Sequence, residues 1–120
     1  ILISKDPLNS AANSIYGSKK NQIEVPSNTL SFAFKEYNIS TCAFLKMDCE
    51  GAEYDILLNT PVAILKKIEC MSIEYHEPQF FGIKDPEYTI ANLKTHLEKS
   101  GFSCVINKRK KYQGTIIAKR

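Results

Sequence analysis

The sequence predicts an α/β fold in which parallel central strands alternate with helices and an antiparallel β-hairpin follows at the C-terminal end. Two apolar runs, residues 43–47 and 68–75, have the length of strands and are followed by sequence typical of helices. Two further runs, 102–107 and 112–118, are separated by the basic stretch 108–111, an arrangement typical of a hairpin. Strands that alternate with helices indicate parallel pairing, because a parallel connection needs room for a crossover.

The N-terminal third predicts a strand pair and a first helix. Residues 1–4 and 22–25 are strand-like, and the polar stretch between them contains the turn-forming pairs Asp6-Pro7, Asn9-Ser10 and Asn13-Ser14. Ser27 or Asn28 can cap a helix over about residues 29–37, because apolar side chains then share one helical face. Asn38 marks the end of that helix.

The rest of the chain predicts three further helical segments. Glu50 or Gly51 begins a short helix, and Pro61 opens another helical turn, where the missing N–H of proline costs nothing. A loop over residues 76–86 comes next after the second apolar run. Residues 87–100 then form an amphipathic helix that ends before Gly101, with the apolar stripe Ile90, Leu93 and Leu97.

Composition restricts the classes of function. The chain has 120 residues, 43% of them hydrophobic, and a net charge of +3, which predicts one globular domain over residues 1–120 and no nucleic-acid partner. No apolar run reaches the roughly 18 residues of a membrane span, so we expect no membrane partner. The four cysteines lack the paired spacing of a zinc site, and we interpret them as reduced thiols of a cytoplasmic protein.

The pattern that points most clearly to function follows the run 43–47. Asp48, Glu50 and Glu53 come directly after this strand, with Gly51 between them. In open parallel sheets, ligands bind at the carboxyl ends of strands, where Asp48 can bind a ligand or act as a general base. Gly51 lets backbone or ligand approach closely. The structural alternative is that Asp48 only caps a helix and that the two glutamates only favour its N-terminus.

A second polar group ends the next strand. Glu74 and His76 close the second apolar run, and neighbouring strands lie about 5 Å apart, so Asp48 and His76 are expected to face one crevice. His76 can act as a base or orient a substrate, and the alternative is a hydrogen-bonded loop residue. Asp48, Glu50 and His76 can also hold a divalent ion, but their spacing does not select that role, and we predict no resident metal.

Two other motifs have both a functional and a structural interpretation. Phe80 and Phe81 form either a mobile lid over the crevice or a satellite core under a long loop. The basic run 108–111 can contact phosphates. Because only Tyr112 lies beside it as a stacking aromatic, we interpret this run as a solvated hairpin tip that discourages edge aggregation.

The segment Lys46-Met47-Asp48-Cys49-Glu50-Gly51-Ala52-Glu53 resembles the K-(I/M)-D-x-E-G-x-E signature of the FkbM-type methyltransferases, a branch of the S-adenosylmethionine-dependent class I enzymes. Residues 13–16, 25–30 and 73–76 resemble the family's flanking segments, in the same order. The resemblance implies a Rossmann-like methyltransferase sheet and methylation of a hydroxyl on a small molecule or sugar. It also implies that S-adenosylmethionine is bound by Asp48, Gly51 and Glu53, and that catalysis uses Asp48, Glu50 and His76.

The chain departs from the family pattern at its N-terminal side. The glycine-rich loop that holds the methionine part of the cofactor is absent, since all five glycines are isolated, and the acidic end of the second strand is missing as well. The sequence therefore resembles only the C-terminal half of such an enzyme. Two functions stay open: a methyltransferase whose other half comes from residues outside this chain, and a non-catalytic half-domain that acts as a dimerising or binding module.

The missing flanking strands also predict a partner. Without them the strand 43–47 has an unpaired edge, and an unpaired edge invites another strand. We therefore expect a homo-oligomer formed through this exposed sheet edge, with the N-terminal hairpin covering part of it.

Overall fold

The computed structural model describes residues 1–4, 13–16 and 21–120. In chain order the elements are β1 (Leu2–Ser4), β2 (Gln22–Glu24), α1 (Leu30–Glu36), β3 (Cys42–Asp48), α2 (Glu53–Leu58), α3 (Val62–Leu65), β4 (Ile68–His76), a 3-10 turn (Pro78–Phe81), α4 (Ile90–Lys99), β5 (Ser103–Lys110) and β6 (Gln113–Lys119). The predicted α/β order of strands and helices is confirmed. The pairs Asp6-Pro7 and Asn9-Ser10 lie outside the described residues.

The main sheet has four strands in the order β3-β4-β6-β5. β3 and β4 are parallel, with Asp48 opposite Glu74, because the connection between them contains α2 and α3. β6 runs antiparallel to both β4 and β5, which confirms the C-terminal hairpin. β1 and β2 form a separate antiparallel pair, and within the described residues neither strand pairs with β3.

The core lies on one face of this mixed sheet. Side chains alternate along each strand, and one alternating set packs with the helices into a single buried cluster. That set includes Met47, Met71, Ile73, Tyr75 and Ile116, and the helices contribute Leu57, Leu65, Leu93 and Leu97. The opposite sheet face is much more open, since Phe44 and Val105 are each 58% exposed.

The helices begin later than predicted because side-chain caps decide their first residues. Thr29, and neither Ser27 nor Asn28, caps α1 by accepting a hydrogen bond from the Phe32 N–H at 3.1 Å. Thr89 caps α4 in the same way through the Asn92 N–H, so this helix begins at Ile90 instead of residue 87. No helix in the described part of the chain has both the length and the apolar character to cross a membrane.

Two loop predictions also differ from the structure. The loop predicted over residues 76–86 begins after His76, which is the last residue of β4, and it contains the 3-10 turn. The first hairpin strand ends three residues later than predicted and the second begins one residue later, so the connection consists of Lys111 and Tyr112 alone. Most of the basic run therefore belongs to β5, where pairing with β6 satisfies the backbone.

Candidate active site at the carboxyl ends of β3 and β4

The structure brings the three predicted catalytic residues together. Asp48 ends β3, Glu50 lies in the turn that follows, and His76 ends the neighbouring parallel strand β4. One potential ligand atom from each side chain lies within 4.8 Å of the other two. Asp48 and His76 thus lie close together at adjacent strand ends, as predicted, but of the two only His76 lines the cleft beside Phe80.

The turn after β3 has an unusual backbone that places Glu50. Glu50 has a φ of +48° and Gly51 a φ of +105°, both in the left-handed region. A right-handed helix cannot pass through these two residues, so α2 begins at Glu53, and the predicted start at Glu50 or Gly51 is wrong. Glu50 therefore lies before the helix and does not share a helical face with Glu53.

Glu53 holds this turn from inside the protein. Its side chain is fully buried, and its carboxylate accepts hydrogen bonds from the Cys49 N–H at 2.7 Å and the Gly51 N–H at 3.1 Å. A buried carboxylate needs such donors, because loss of hydration is otherwise costly. Glu53 thus has a structural task in addition to any contact with a ligand.

The His76 imidazole lies between several polar groups. Its side chain is only 8% exposed, with Nδ1 at 3.5 Å from a Glu53 carboxylate oxygen and Nε2 at 3.6 Å from a Glu50 carboxylate oxygen. The Glu53 carboxylate raises the pKa of His76, burial opposes that change, and Glu50 and Asp48 add to the increase. The imidazolium form is consequently favoured by its neighbours.

Among the described residues, several carboxylates cluster around Glu50 and His76. Burial raises the pKa of Glu50. His76 lowers it, and the negative charges of Asp48, Glu53 and Glu74 raise it further. The Lys46 ammonium lies 3.5 Å from Asp48 in an exposed pair. The carboxyl ends of β3 and β4 therefore suit a positively charged ligand.

Sequence reasoning missed Gln113, the first residue of β6. Its amide nitrogen lies 2.5 Å from a Glu74 carboxylate oxygen and 3.1 Å from His76 Nε2. Gln113 reaches these groups because β6 pairs antiparallel with β4 and puts it opposite His76. Only the pairing register reveals this contact, and a glutamine at the start of a strand gives no local signal.

Gly51 has no side chain, so other groups can approach its backbone closely. Among the described residues, two aromatic rings do so. A Cβ atom at this position would lie 2.7 Å from Phe81 and 2.9 Å from Tyr16. The N-terminal segment is also tied here, because the Ser14 hydroxyl donates to the Glu50 carbonyl at 2.5 Å. The Tyr16 hydroxyl donates to Asp55 of α2, which also accepts from Tyr88.

The two adjacent phenylalanines have different surroundings. Phe81 packs over Gly51 and against the Tyr16 ring, with centroids 5.9 Å apart, as the satellite-core interpretation predicted. Phe80 is 66% exposed and borders a cleft of about 140 Å³ that reaches His76. The remaining lining residues of this cleft are Lys110, Lys111, Tyr112 and Gln113.

Comparison with known proteins agrees with the signature at the end of β3. The profile of the Methyltransferase FkbM domain family matches residues 2–104, a range that contains Asp48, Glu50 and His76 but not Gln113. Comparisons with curated proteins and with solved structures gave no significant match. Since the profile spans most of the sequence and the strand ends it covers converge on one cluster, this chain belongs to the FkbM methyltransferase domain family.

Proposed function

We propose that this chain is an S-adenosylmethionine-dependent methyltransferase that methylates a hydroxyl oxygen of a small molecule or sugar. Membership in the FkbM family supports methyl transfer as the reaction class. The observation that carries the proposal is the convergence of Asp48, Glu50 and His76 at the carboxyl ends of two parallel strands. On this proposal the mixed sheet is the C-terminal half of a Rossmann-like methyltransferase sheet.

The acidic cluster at these strand ends supports a cationic cofactor. S-adenosylmethionine carries an ammonium and a sulfonium charge, and when bound it supplies the electrophilic methyl group. The side chains of Asp48 and Glu50 remain 36% and 31% exposed, so their carboxylates are available to such a ligand. Asp48 contacts the cofactor amine or the acceptor, while Gly51 and Glu53 contribute to the cofactor site through the shape of the turn.

His76 is the proposed proton acceptor, with Glu50 assisting. The Glu53 carboxylate near Nδ1 favours a proton on that nitrogen, and at Nε2 the acceptor hydroxyl would share or replace the contact with the Gln113 amide. His76 would accept the proton of the acceptor hydroxyl at Nε2, and S-adenosylmethionine, held at the turn by Asp48, would supply the methyl group. The main contribution of the site is to hold the oxygen in line with the methyl group.

We propose that this chemistry needs no resident metal. A cation shared by Asp48, Glu50 and His76 would compete with partners that these groups already have. The Gln113 amide lies at His76 Nε2, and the Lys46 ammonium lies at Asp48. Activity in the presence of EDTA is the direct test, and loss of activity restored by one divalent ion would contradict this part of the proposal.

We propose a cytoplasmic location for the reaction. All four cysteines are free thiols, which is usual for proteins of a reducing compartment. The small net charge of +3 gives no support for a nucleic-acid partner.

Cofactor binding tests the proposal directly. Calorimetric titration with S-adenosylhomocysteine should give micromolar affinity that Asp48→Asn weakens by about tenfold or more, because an ammonium loses its carboxylate partner. Glu36→Gln, an exposed charge change on α1, is the matched control and should bind like the unaltered chain. Absence of binding at millimolar cofactor would exclude an active enzyme formed by this chain alone.

A second candidate function, a dimerising or binding module without catalysis, is favoured by a different observation. β3 is an edge strand of the described sheet, and the open sheet face carries the exposed side chains Phe44 and Val105. An unpaired edge that carries the exposed Phe44 side chain is a suitable surface for a second copy of the chain. We propose self-association through the β3 edge, and it is compatible with either function.

A further inference from the structure

The cleft beside His76 differs in chemistry from the acidic cluster at the same imidazole. Neither Asp48 nor Glu50 lines the cleft, whereas Phe80, Tyr112 and two lysines do. Neighbouring surroundings of opposite charge at one base suit two different ligands. If the acidic cluster takes the cationic cofactor, the cleft is the remaining place for the methyl acceptor.

The walls of the cleft are two aromatic rings. The Phe80 and Tyr112 centroids lie 6.5 Å apart, with the ring planes inclined by 46°. The Glu77 N–H donates to the Tyr112 carbonyl at 2.8 Å, so the 3-10 turn and the hairpin connection are joined by the backbone. Phe80 remains 66% exposed in this position, and an exposed ring beside a cleft leaves apolar surface for a ligand to cover.

The size of the cleft suits one ring. Its volume is about 140 Å³, close to the roughly 150 Å³ of a cavity known to take benzene. A six-membered ring in the cleft would pack against Phe80 and Tyr112, whose rings contact one another, and would reach inward to His76 and Gln113. His76 Nε2 and the Gln113 amide are 3.1 Å apart, so a hydroxyl on the inner side of the ring can contact both.

The rim of the cleft is basic. β5 contains one extra residue between Lys108 and Lys110 relative to β6, and this bulge puts Lys110 opposite Gln113. Lys110 and Lys111 both line the cleft, and the Lys111 ammonium lies 4.9 Å from the Tyr112 ring centroid. Near this rim, among the described side chains, the Glu77 carboxylate pairs with a different lysine: its oxygen lies 4.0 Å from the Lys108 ammonium.

We propose that this cleft binds the methyl acceptor and selects a single aromatic ring that carries an inward hydroxyl and an outward anionic group, a carboxylate or a phosphate. The proposal rests on the proposed methyltransferase function and names its substrate class. The aromatic walls hold the ring, Lys110 and Lys111 bind the anion, and His76 with Gln113 receives the hydroxyl. On this proposal Lys110 and Lys111 have a binding role in addition to the solvent exposure that the sequence indicated.

Direct binding of 4-hydroxybenzoate, followed by NMR shifts of the Phe80 and Tyr112 ring signals, tests the proposal without methyl transfer. Phe80→Ala should weaken binding by about fivefold or more, since one stacking wall is lost. Tyr37→Ala is the matched control, because Tyr37 is an exposed aromatic at the end of α1, before the opposite end of β3. Equal binding by the Phe80 variant, or no binding at 10 mM (about the weakest affinity NMR detects), would overturn the proposal.

The charge requirement has its own test. A Lys110→Glu, Lys111→Glu double variant should weaken 4-hydroxybenzoate binding by about tenfold and leave neutral 4-hydroxybenzamide unchanged. Lys99→Glu, an exposed change at the end of α4, is the control. Equal affinities of the acid and the amide for the unaltered chain would contradict anion selection.

The choice of ligand also distinguishes related sources of the same chemistry. Comparison of phenyl phosphate with 4-hydroxybenzoate shows whether the cleft prefers a phosphate or a carboxylate as the anion. Tighter binding of either ligand agrees with the proposal. Glucuronate tests a saturated ring, and affinity equal to that of 4-hydroxybenzoate would overturn the selection of an aromatic ring. If the chain binds 4-hydroxybenzoate but not S-adenosylhomocysteine, the proposed binding site in this cleft stands and the proposed methyltransferase function is wrong.

Discussion

At the residue scale, His76 connects the stability of the protein to pH. Its folded-state pKa is raised, so the imidazolium stabilises the fold fully below about pH 6.5, and that contribution is lost as pH rises through the folded pKa. The groups facing it are Asp48 at the end of β3, Glu50 in the turn, Glu53 of α2 and Gln113 of β6. The raised pKa of Glu50 likewise makes stability fall as pH rises, but in a lower pH range.

We therefore expect the free energy of unfolding to fall between about pH 6 and about pH 8. His76→Gln removes the titrating group and should flatten this dependence, as measured by urea denaturation at several pH values. An identical dependence of the unfolding free energy on pH in the variant would show that these carboxylates do not raise the pKa of His76.

Catalysis by His76 should have the opposite pH dependence. The proposed reaction needs unprotonated Nε2, so the methylation rate should rise through the same raised pKa at which stability declines. Comparison of rate and stability profiles on one sample checks this. A rate independent of pH from about 6 to about 9 would contradict His76 as the base.

Gly51 is the residue at which backbone and packing requirements coincide. Its φ of +105° is unfavourable for other residues, and a Cβ would overlap the Phe81 and Tyr16 rings. Gly51→Ala should lower the free energy of unfolding by about 1–3 kcal/mol. Gly82→Ala is a useful comparison in thermal denaturation, because its φ of +76° carries strain while its Cβ would meet nothing within 4 Å.

A variant at Gly51 that loses no more stability than the one at Gly82 would show that ring contact contributes little. The comparison thus separates backbone strain from crowding.

At the element scale, the ends of helices depend on single side chains. The Thr89 hydroxyl accepts the Asn92 N–H at 3.1 Å and sets the start of α4, which contributes Leu93 and Leu97 to the core. Thr89→Ala should cost about 1 kcal/mol of stability. Thr95→Ala, an exposed change within the same helix, should be neutral or slightly stabilising in the same urea titrations, because alanine favours helix.

The hairpin of β5 and β6 is an element whose functional importance depends on its pairing. Antiparallel pairing with β4 puts Gln113 beside His76, and the bulge in β5 puts Lys110 opposite Gln113. The same residues in a regular hairpin would face differently, because a shift by one residue moves every side chain to the other face. The hairpin thus takes part in the site although only its first two residues, Ser103 and Cys104, fall within the family match.

At the scale of the whole molecule, helices cover one face of the sheet, and in the described part of the chain the other face is much more exposed. The open face includes a row in which Val105 lies across from Ile117 of β6, and β3 lies at the edge of the sheet. We expect concentration-dependent self-association in light scattering. Phe44→Lys, which puts a charge on the edge strand, should reduce it.

Phe32→Lys, an exposed apolar position on α1, is the control and should associate like the unaltered chain. A monomer at high protein concentration would count against pairing through β3.

Much of the fold and part of the candidate site could be predicted from the sequence because the signals are local. Apolar runs of strand length, interrupted by Asp48 and by Glu74 with His76, indicate strands and their carboxyl ends without any long-range information. The start of α2 could not be predicted in this way, because Glu50 adopts a positive φ that a glutamate rarely shows. The caps Thr29 and Thr89 were not predicted either, because neighbouring polar residues such as Ser27 and Asn28 give the same local signal.

The sequence by itself determined the family signature, the order of strands and helices and the convergence of Asp48 and His76, since each depends on residues that are near one another in the chain or on the general geometry of parallel strands. Only the tertiary structure decided that Glu53 turns inward to hold Cys49 and Gly51, that Gln113 meets His76, and that an aromatic cleft opens beside them. These contacts depend on strand register and on a left-handed turn, and both are set by packing between distant segments.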